Sequence, residues 1–176
     1  MGYSSGRMLL SQREGQVFRF PTWVMVGVPL AAILFQVYVP LFFPILSFVE
    51  MPLLVLVYLA LMRRSQVAGL LVGAIIGIAQ DSLSKNPLGM FGICKTLVGY
   101  FAASVGMRFD VDQAFIRLLL SFFFYFFHQF LYWVMQRALL SQQPVFDYEK
   151  WLIFGALNAV IGVALFHFLD RLRESA

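Results

Sequence analysis

Charge is what this 176-residue chain has least of: Asp, Glu, Lys and Arg make up 12% of it. A soluble domain usually carries about twice that share. The chain is 61% hydrophobic and holds twenty Phe, too many to hide in so small a water-soluble core without leaving large apolar patches outside. A compact soluble α-protein is therefore excluded, and lipid is the expected solvent. Cysteine is nearly absent too. The single Cys94 rules out an intrachain disulfide and reads as a small packing residue. Two histidines without a Cys or carboxylate cluster argue against a metal site. No nucleophile–base pair and no phosphate-binding glycine loop is present, so neither an enzyme nor a cofactor is expected.

The net charge of +4 comes from basic residues scattered between apolar runs. That is no nucleic-acid face; in a membrane protein it belongs to orientation. Residues 1–19 are polar, with no short apolar core or small-residue cleavage site, and read as a cytoplasmic tail, not a signal peptide. Gly2 after Met1 matches a myristoylation signal only weakly.

What is abundant is long apolar runs, and a helix needs roughly 20 apolar residues to cross a bilayer. Phe20 to Met62 carries one charge, Glu50. It is read as two spans, near 20–39 and 45–62, broken at Pro40 and Pro44 because proline removes a helix donor and restricts its neighbour. Since the second is short, residues 38–49 are expected partly in the interface. Further helices are expected near 65–82, 88–107, 114–140 and 151–169. A membrane barrel would alternate in strands of about ten residues, and these runs do not. With the N-terminus inside, cytoplasmic segments carry Arg7, Arg13, Arg19, Arg63, Arg64, Arg108, Arg117, Arg171 and Arg173, against Lys85, Arg137 and Lys150 outside, with Lys95 just inside the fourth span. This positive-inside bias gives an all-α polytopic bundle of about six spans with both termini cytoplasmic. The expected division is one transmembrane domain, 20–170, between the tail 1–19 and a cytoplasmic tail, 171–176.

Gly69, Gly73 and Gly77 repeat every fourth residue, and Asp81 falls next on that stripe. Lipid gives helices no hydrophobic push to associate, so close packing over small residues does much of the work. The stripe serves packing within the bundle or docks a partner's single helix. Looser seams are Gly99–Ala103 with Gly106, and Gly155–Ala159 beside Asn158–Gly162, with Asn158 as hydrogen-bonding glue. The fifth helix, "FIRLLLSFFFYFFHQFLYWVMQ", has aromatics on every face, Phe123 and Phe127 among them. It is thus widely lipid-exposed or covered by another membrane protein. An intramembrane ionisable group is a functional hypothesis by default, yet His128 reads more simply as a hydrogen-bonding group inside the bundle. His167 reads as reaching the inner interface. Glu50, two residues before Pro52, reads as a helix-start device, with proton coupling, alongside His128, as the alternative role. In "IAQDSLSKNPLGMFGICKT" the outer-end polar cluster is Asp81, Lys85, Asn86, Pro87, Gly89 and Lys95. Asn86-Pro87 with Gly89 is turn chemistry, and Asp81 and Lys95 are close enough along the fold to pair.

The order of Glu50–Pro52, Arg63–Arg64, Gly69–Gly77, Gln80–Asp81, Asn86–Gly89 and Thr96–Tyr100 resembles the rod shape-determining MreD family over about residues 49–107. The resemblance implies a non-enzymatic inner-membrane subunit of the bacterial cell-elongation machinery. Its partner would be MreC, with RodA, its class B penicillin-binding protein and MreB acting indirectly. It also implies kinship of fold with the substrate-binding S-components of energy-coupling-factor transporters. A small-molecule (vitamin) transporter subunit is therefore the alternative. On the scaffold reading, a partner helix packs against the glycine stripe or the aromatic fifth helix. Arg63, Arg64, Arg108 and Arg117 would then meet anionic headgroups or a cytoplasmic partner.

Overall fold

The computed structural model describes residues 21–84 and 87–172. The tail 1–19, Lys85, Asn86 and Arg173 lie outside the described residues. Among the described residues six helices follow in order: α1 Thr22–Phe42, α2 Met51–Arg63, α3 Gln66–Leu83, α4 Met90–Gly106, α5 Ala114–Leu139 and α6 Tyr148–Asp170. Among the described residues there is no strand. Five stretches are long and apolar enough to cross a membrane, Pro44–Arg63 counting as one, and Met90–Gly106 is a shorter apolar helix. The chain is thus a polytopic helical membrane bundle. Below, the end where α3 passes into α4 is termed outer, following the positive-inside assignment.

The first break differs from the one expected. Pro40 lies inside α1, as does Pro29, and the helix stops only at Phe42. Phe43 takes an extended conformation, φ −130° and ψ 86°, because the residue before a proline is pushed out of the helical region. Pro44 therefore ends the helix and Pro40 does not. Pro44–Phe48 then forms a 3-10 turn with no buried residue.

α2 occupies the centre, where every residue from Pro52 to Met62 is buried, and it touches each of the other five helices. Its 13 residues span about 20 Å at 1.5 Å per residue, short of a hydrocarbon core about 30 Å thick. Its first residues accordingly sit deep: Glu50 N–H donates to Oδ1 of Asn158 at 2.9 Å, and Asn158 is ten residues into α6. The segment 43–49 descends from the outer surface into the bundle. Irregular backbone at such depth survives only where protein satisfies it. Here Asn158 Nδ2 donates to the Phe48 carbonyl at 2.8 Å and Gln36 Nε2 to the Ser47 carbonyl at 3.4 Å. Phe48 also stacks on Phe154, ring centroids 3.9 Å apart.

The glycine stripe is spent inside the bundle. A Cβ at Gly69 would strike the Gly99 carbonyl, at Gly73 the Lys95 carbonyl, and at Gly77 the Phe91 carbonyl and Gly92 backbone, each under 3.0 Å. The stripe is the α3–α4 seam, and the docking alternative is not what this face does. The exposed side of α3 carries Val67, Leu71, Ile75 and Ile78 instead. Gly106 meets the Leu61 carbonyl of α2, while Gly155 and Gly162 face Phe122 and Ser121 of α5. These seams bind by close atomic contact, since moving apolar surface from lipid to protein gains little.

At the inner end Arg117 does not face headgroups. It is 5% exposed; its Nε donates to the Val111 carbonyl at 2.8 Å and its guanidinium pairs with Asp170 and Asp112. Asp170 also accepts from the Tyr58 hydroxyl at 2.9 Å. A guanidinium this enclosed needs such partners, so α5, α6 and α2 are latched together there. Arg108 and His167 are exposed.

Candidate functional site: a polar core behind the outer hairpin

Two helix starts in the outer half are capped from elsewhere in the chain. The first few N–H groups of any helix lack intrahelical partners, and in lipid no water replaces them. At α4 the two carboxylate oxygens of Asp81 accept three hydrogen bonds: Gly89 N–H donates at 3.0 Å, Phe91 N–H at 3.1 Å and Gly92 N–H at 2.9 Å. A carboxylate at the positive end of a helix dipole is favourably placed. Gly89 stands at the N-cap with φ +96°, a conformation that glycine adopts readily, and Pro87 before it is exposed. The hairpin is thus a carboxylate-capped helix start.

At α2 the device differs from expectation. Glu50 precedes the helix but makes no side-chain cap. Its own N–H is met by Asn158 and that of Met51 by Gln36 Oε1 at 3.2 Å. Asn158 and Gln36 do the capping because they reach in from α6 and α1.

Glu50 is left facing Lys95. That lysine is 0% exposed on α4, and its ammonium donates to Gln80 Oε1 at 2.7 Å. The same ammonium lies 3.6 Å from Glu50 Oε2 and 4.9 Å from the centroid of the Phe91 ring. The expected pairing of Asp81 with Lys95 does not form, since Asp81 is committed to the three N–H groups above. A buried ammonium without a countercharge is very costly; Glu50 is that countercharge, drawn from across the bundle.

His128 adjoins this set, stacked on Phe91 with centroids 5.8 Å apart. It is 1% exposed, yet neither ring nitrogen has a hydrogen-bond partner among the described residues, and Glu50 Oε2 has none either. His128 therefore does not act as the internal hydrogen-bonding group expected of it. Cys94, fully buried on α4, fits its expected packing role.

The structure thus gathers Glu50 and Lys95 of the expected cluster and sets Asp81 beside them as a cap. Gln36 was not singled out by the sequence, and Gln80 entered only through the Gln80–Asp81 step of the motif, without a role. Gln80 adjoins the glycine stripe just before Asp81, which was the available signal for it. Of the two aromatics, Phe123 is 52% exposed and Phe127 half-buried. Phe127 meets Phe101 of α4 edge-on at 5.5 Å and Phe123 at 6.1 Å.

Among the described residues no group of three or more His, Cys, Asp or Glu stands ready to hold a metal. A family model, rod shape-determining protein MreD, matches residues 18–174. No curated protein and no solved structure matches the chain.

Proposed function

The chain belongs to the MreD family of rod shape-determining membrane proteins, and from that premise we propose that it is a non-enzymatic scaffold of the bacterial cell-elongation complex. It sits in the inner membrane, binds the single membrane helix of MreC, and so supports control of peptidoglycan synthesis by RodA and its class B penicillin-binding protein. MreB lies beneath, reached indirectly.

One observation carries the choice of docking face. With the glycine stripe of α3 buried against α4, the aromatic ridge of α4 and α5 is the candidate face of the two expected that is left exposed. Phe101 is 45% and Phe123 52% exposed, with Tyr100 beside Phe101 and Phe127 between the two ridges. Aromatic rings present large rigid area to a partner. A photo-crosslinking residue placed at Phe123 in native membranes should capture MreC, and one at Val160, 62% exposed on α6, should not. Equal capture at both positions, or none at Phe123, would remove this face from consideration. Purification of the native complex tests the class of function itself: MreC in the eluate fits the scaffold, a vitamin with an ATPase module the transporter.

A further inference from the structure

Beyond a docking role, the polar core has a chemistry that no packing requirement explains. Both ring nitrogens of His128 lack a hydrogen-bond partner among the described residues, and Glu50 Oε2, also without one, meets only the Lys95 ammonium as an ion pair at 3.6 Å. Buried polar atoms are nearly always satisfied, and an ionisable group inside a membrane marks function by default. What can reach an enclosed acceptor is a proton.

The surroundings favour arrival from the outer side. The Glu50 side chain keeps 13% of its surface exposed while that of Lys95 keeps none. On α5, His128, Tyr132 and Gln136 follow at intervals of four and so share one face, Tyr132 stacking on Phe91 at 5.1 Å. Tyr132 and Gln136 are only half-buried, giving a polar track from the outer end of α5 to the core. The covering segment, Pro44–Phe48, buries no residue of its own and is held through amide hydrogen bonds and the Phe48–Phe154 stack. The ionisable groups facing the core are Lys95 and Cys94 of α4, Asp81 of α3, and Tyr125, His128 and Tyr132 of α5. α1 and α6 contribute the amides of Gln36 and Asn158.

We propose that Glu50, with Lys95 and His128 beside it, is a proton-binding site open to the outer side, and that its protonation unseats the start of α2. The step is an association: a proton adds to Glu50 Oε2 and no other bond is made or broken. The buried Lys95 ammonium then keeps Gln80 but loses its countercharge. That arrangement is unfavourable in a dry core, so the site opens toward water through the weakest cover, residues 43–49. Outer pH would in this way set the seating of the central helix.

Two measurements on the full chain in lipid nanodiscs test this. In infrared difference spectra taken across a drop in outer pH, the protonated-carboxyl band should contain a component that Glu50→Gln removes and Glu149→Gln leaves in place. The second measurement uses Cys94, the single cysteine, at one fixed pH. Glu50→Gln mimics the protonated state and should speed modification of Cys94 by a membrane-impermeant thiol reagent on the order of tenfold, through local opening. The double variant Glu50→Gln/Lys95→Met, which has no stranded charge, should return to the native rate. That return separates a charge effect from general misfolding. A carboxyl band indifferent to Glu50→Gln, a single variant labelled at the native rate, or a double variant labelled as fast as the single would each overturn the proposal.

Discussion

Replacing Gly73 by alanine should destabilise the bundle although it adds only one methyl group. The new Cβ would meet the Lys95 carbonyl and the Thr96 Cα of α4, and the nearest of these atoms is main chain. A side chain could rotate away; two helix backbones can only move apart, and with them the contacts at Gly69 and Gly77. Overpacking of this kind costs about 2–3 kcal/mol. Alanine returns up to about 1 kcal/mol through its better helix propensity, leaving a net loss of roughly 1–3 kcal/mol. Two other glycines calibrate the effect. At Gly155 the added atom would face the rings of Phe122 at 3.1 Å and Tyr125 at 3.3 Å, which can shift, so the loss should be smaller. At Gly27 nothing lies within 4 Å, and alanine there should be neutral or slightly stabilising. Reversible unfolding in mixed micelles, followed by tryptophan fluorescence on the three variants in parallel, gives the comparison. Should Gly73→Ala prove as stable as Gly27→Ala, the backbone-to-backbone account of the α3–α4 seam is wrong.

The other predictions concern caps and latches. Asp81→Asn keeps one acceptor oxygen for three N–H groups and should cost about 1–3 kcal/mol, whereas Asp81→Ala should cost more and lower the yield of folded protein in membranes. If both variants melt as the native chain does, the carboxylate does not cap α4. Arg117→Gln leaves Asp170 and Tyr58 to each other. It should cost about 1.5–3 kcal/mol because charged hydrogen bonds are lost, and Asp170→Asn should cost less since Asp170 is 20% exposed; thermal melting of both tests the order. Asp147, the N-cap of α6, accepts from Lys150 at its N–H and pairs with its ammonium at 2.7 Å. Hydrogen bonding to Lys150 holds the Asp147 carboxyl below the usual range. A depressed carboxylate stabilises above its unfolded value of about 3.9 and loses that contribution as pH falls through the folded one. Its carbon NMR titration should move up in Lys150→Ala.

Much of the fold was legible because lipid makes it so. Apolar runs located the helices to within about three residues, except that α2 starts at Met51 where 45 was expected, and the spacing of Gly69, Gly73 and Gly77 identified a face that a neighbouring backbone could approach. The break before α2 was misplaced because proline acts twice. Pro40 sits in the last turn of α1, where the helix tolerates it, while Pro44 constrains Phe43 and ends the helix. The pairings were harder to read. Asp81 and Lys95 look like partners from their distance along the hairpin, but Asp81, near the end of α3, faces the start of α4, where three N–H groups compete for its oxygens. Lys95 lies further in and finds Glu50, 45 positions away in sequence. Arg117 looked like a headgroup contact because positive-inside bias counts charge without regard to burial. Its partner Asp170 is 53 residues distant, beyond any local pattern.

The glycine seam and the ion pair are two parts of one arrangement. Gly73 abuts the carbonyl of Lys95 itself, and Gln80, which accepts from that lysine's ammonium, lies seven residues further along the same face of α3. The approach that glycine permits at one level therefore sets the 2.7 Å contact two turns higher. A helix pair forced apart at Gly73 would draw Gln80 off the ammonium and leave Lys95 more dependent on Glu50. Gly73→Ala should accordingly raise the rate of Cys94 modification as well as lower stability, while Gly155→Ala, on the α5–α6 seam, should lower stability without that increase. A labelling rate that simply tracked stability across both variants would mean that the seam and the polar core are independent.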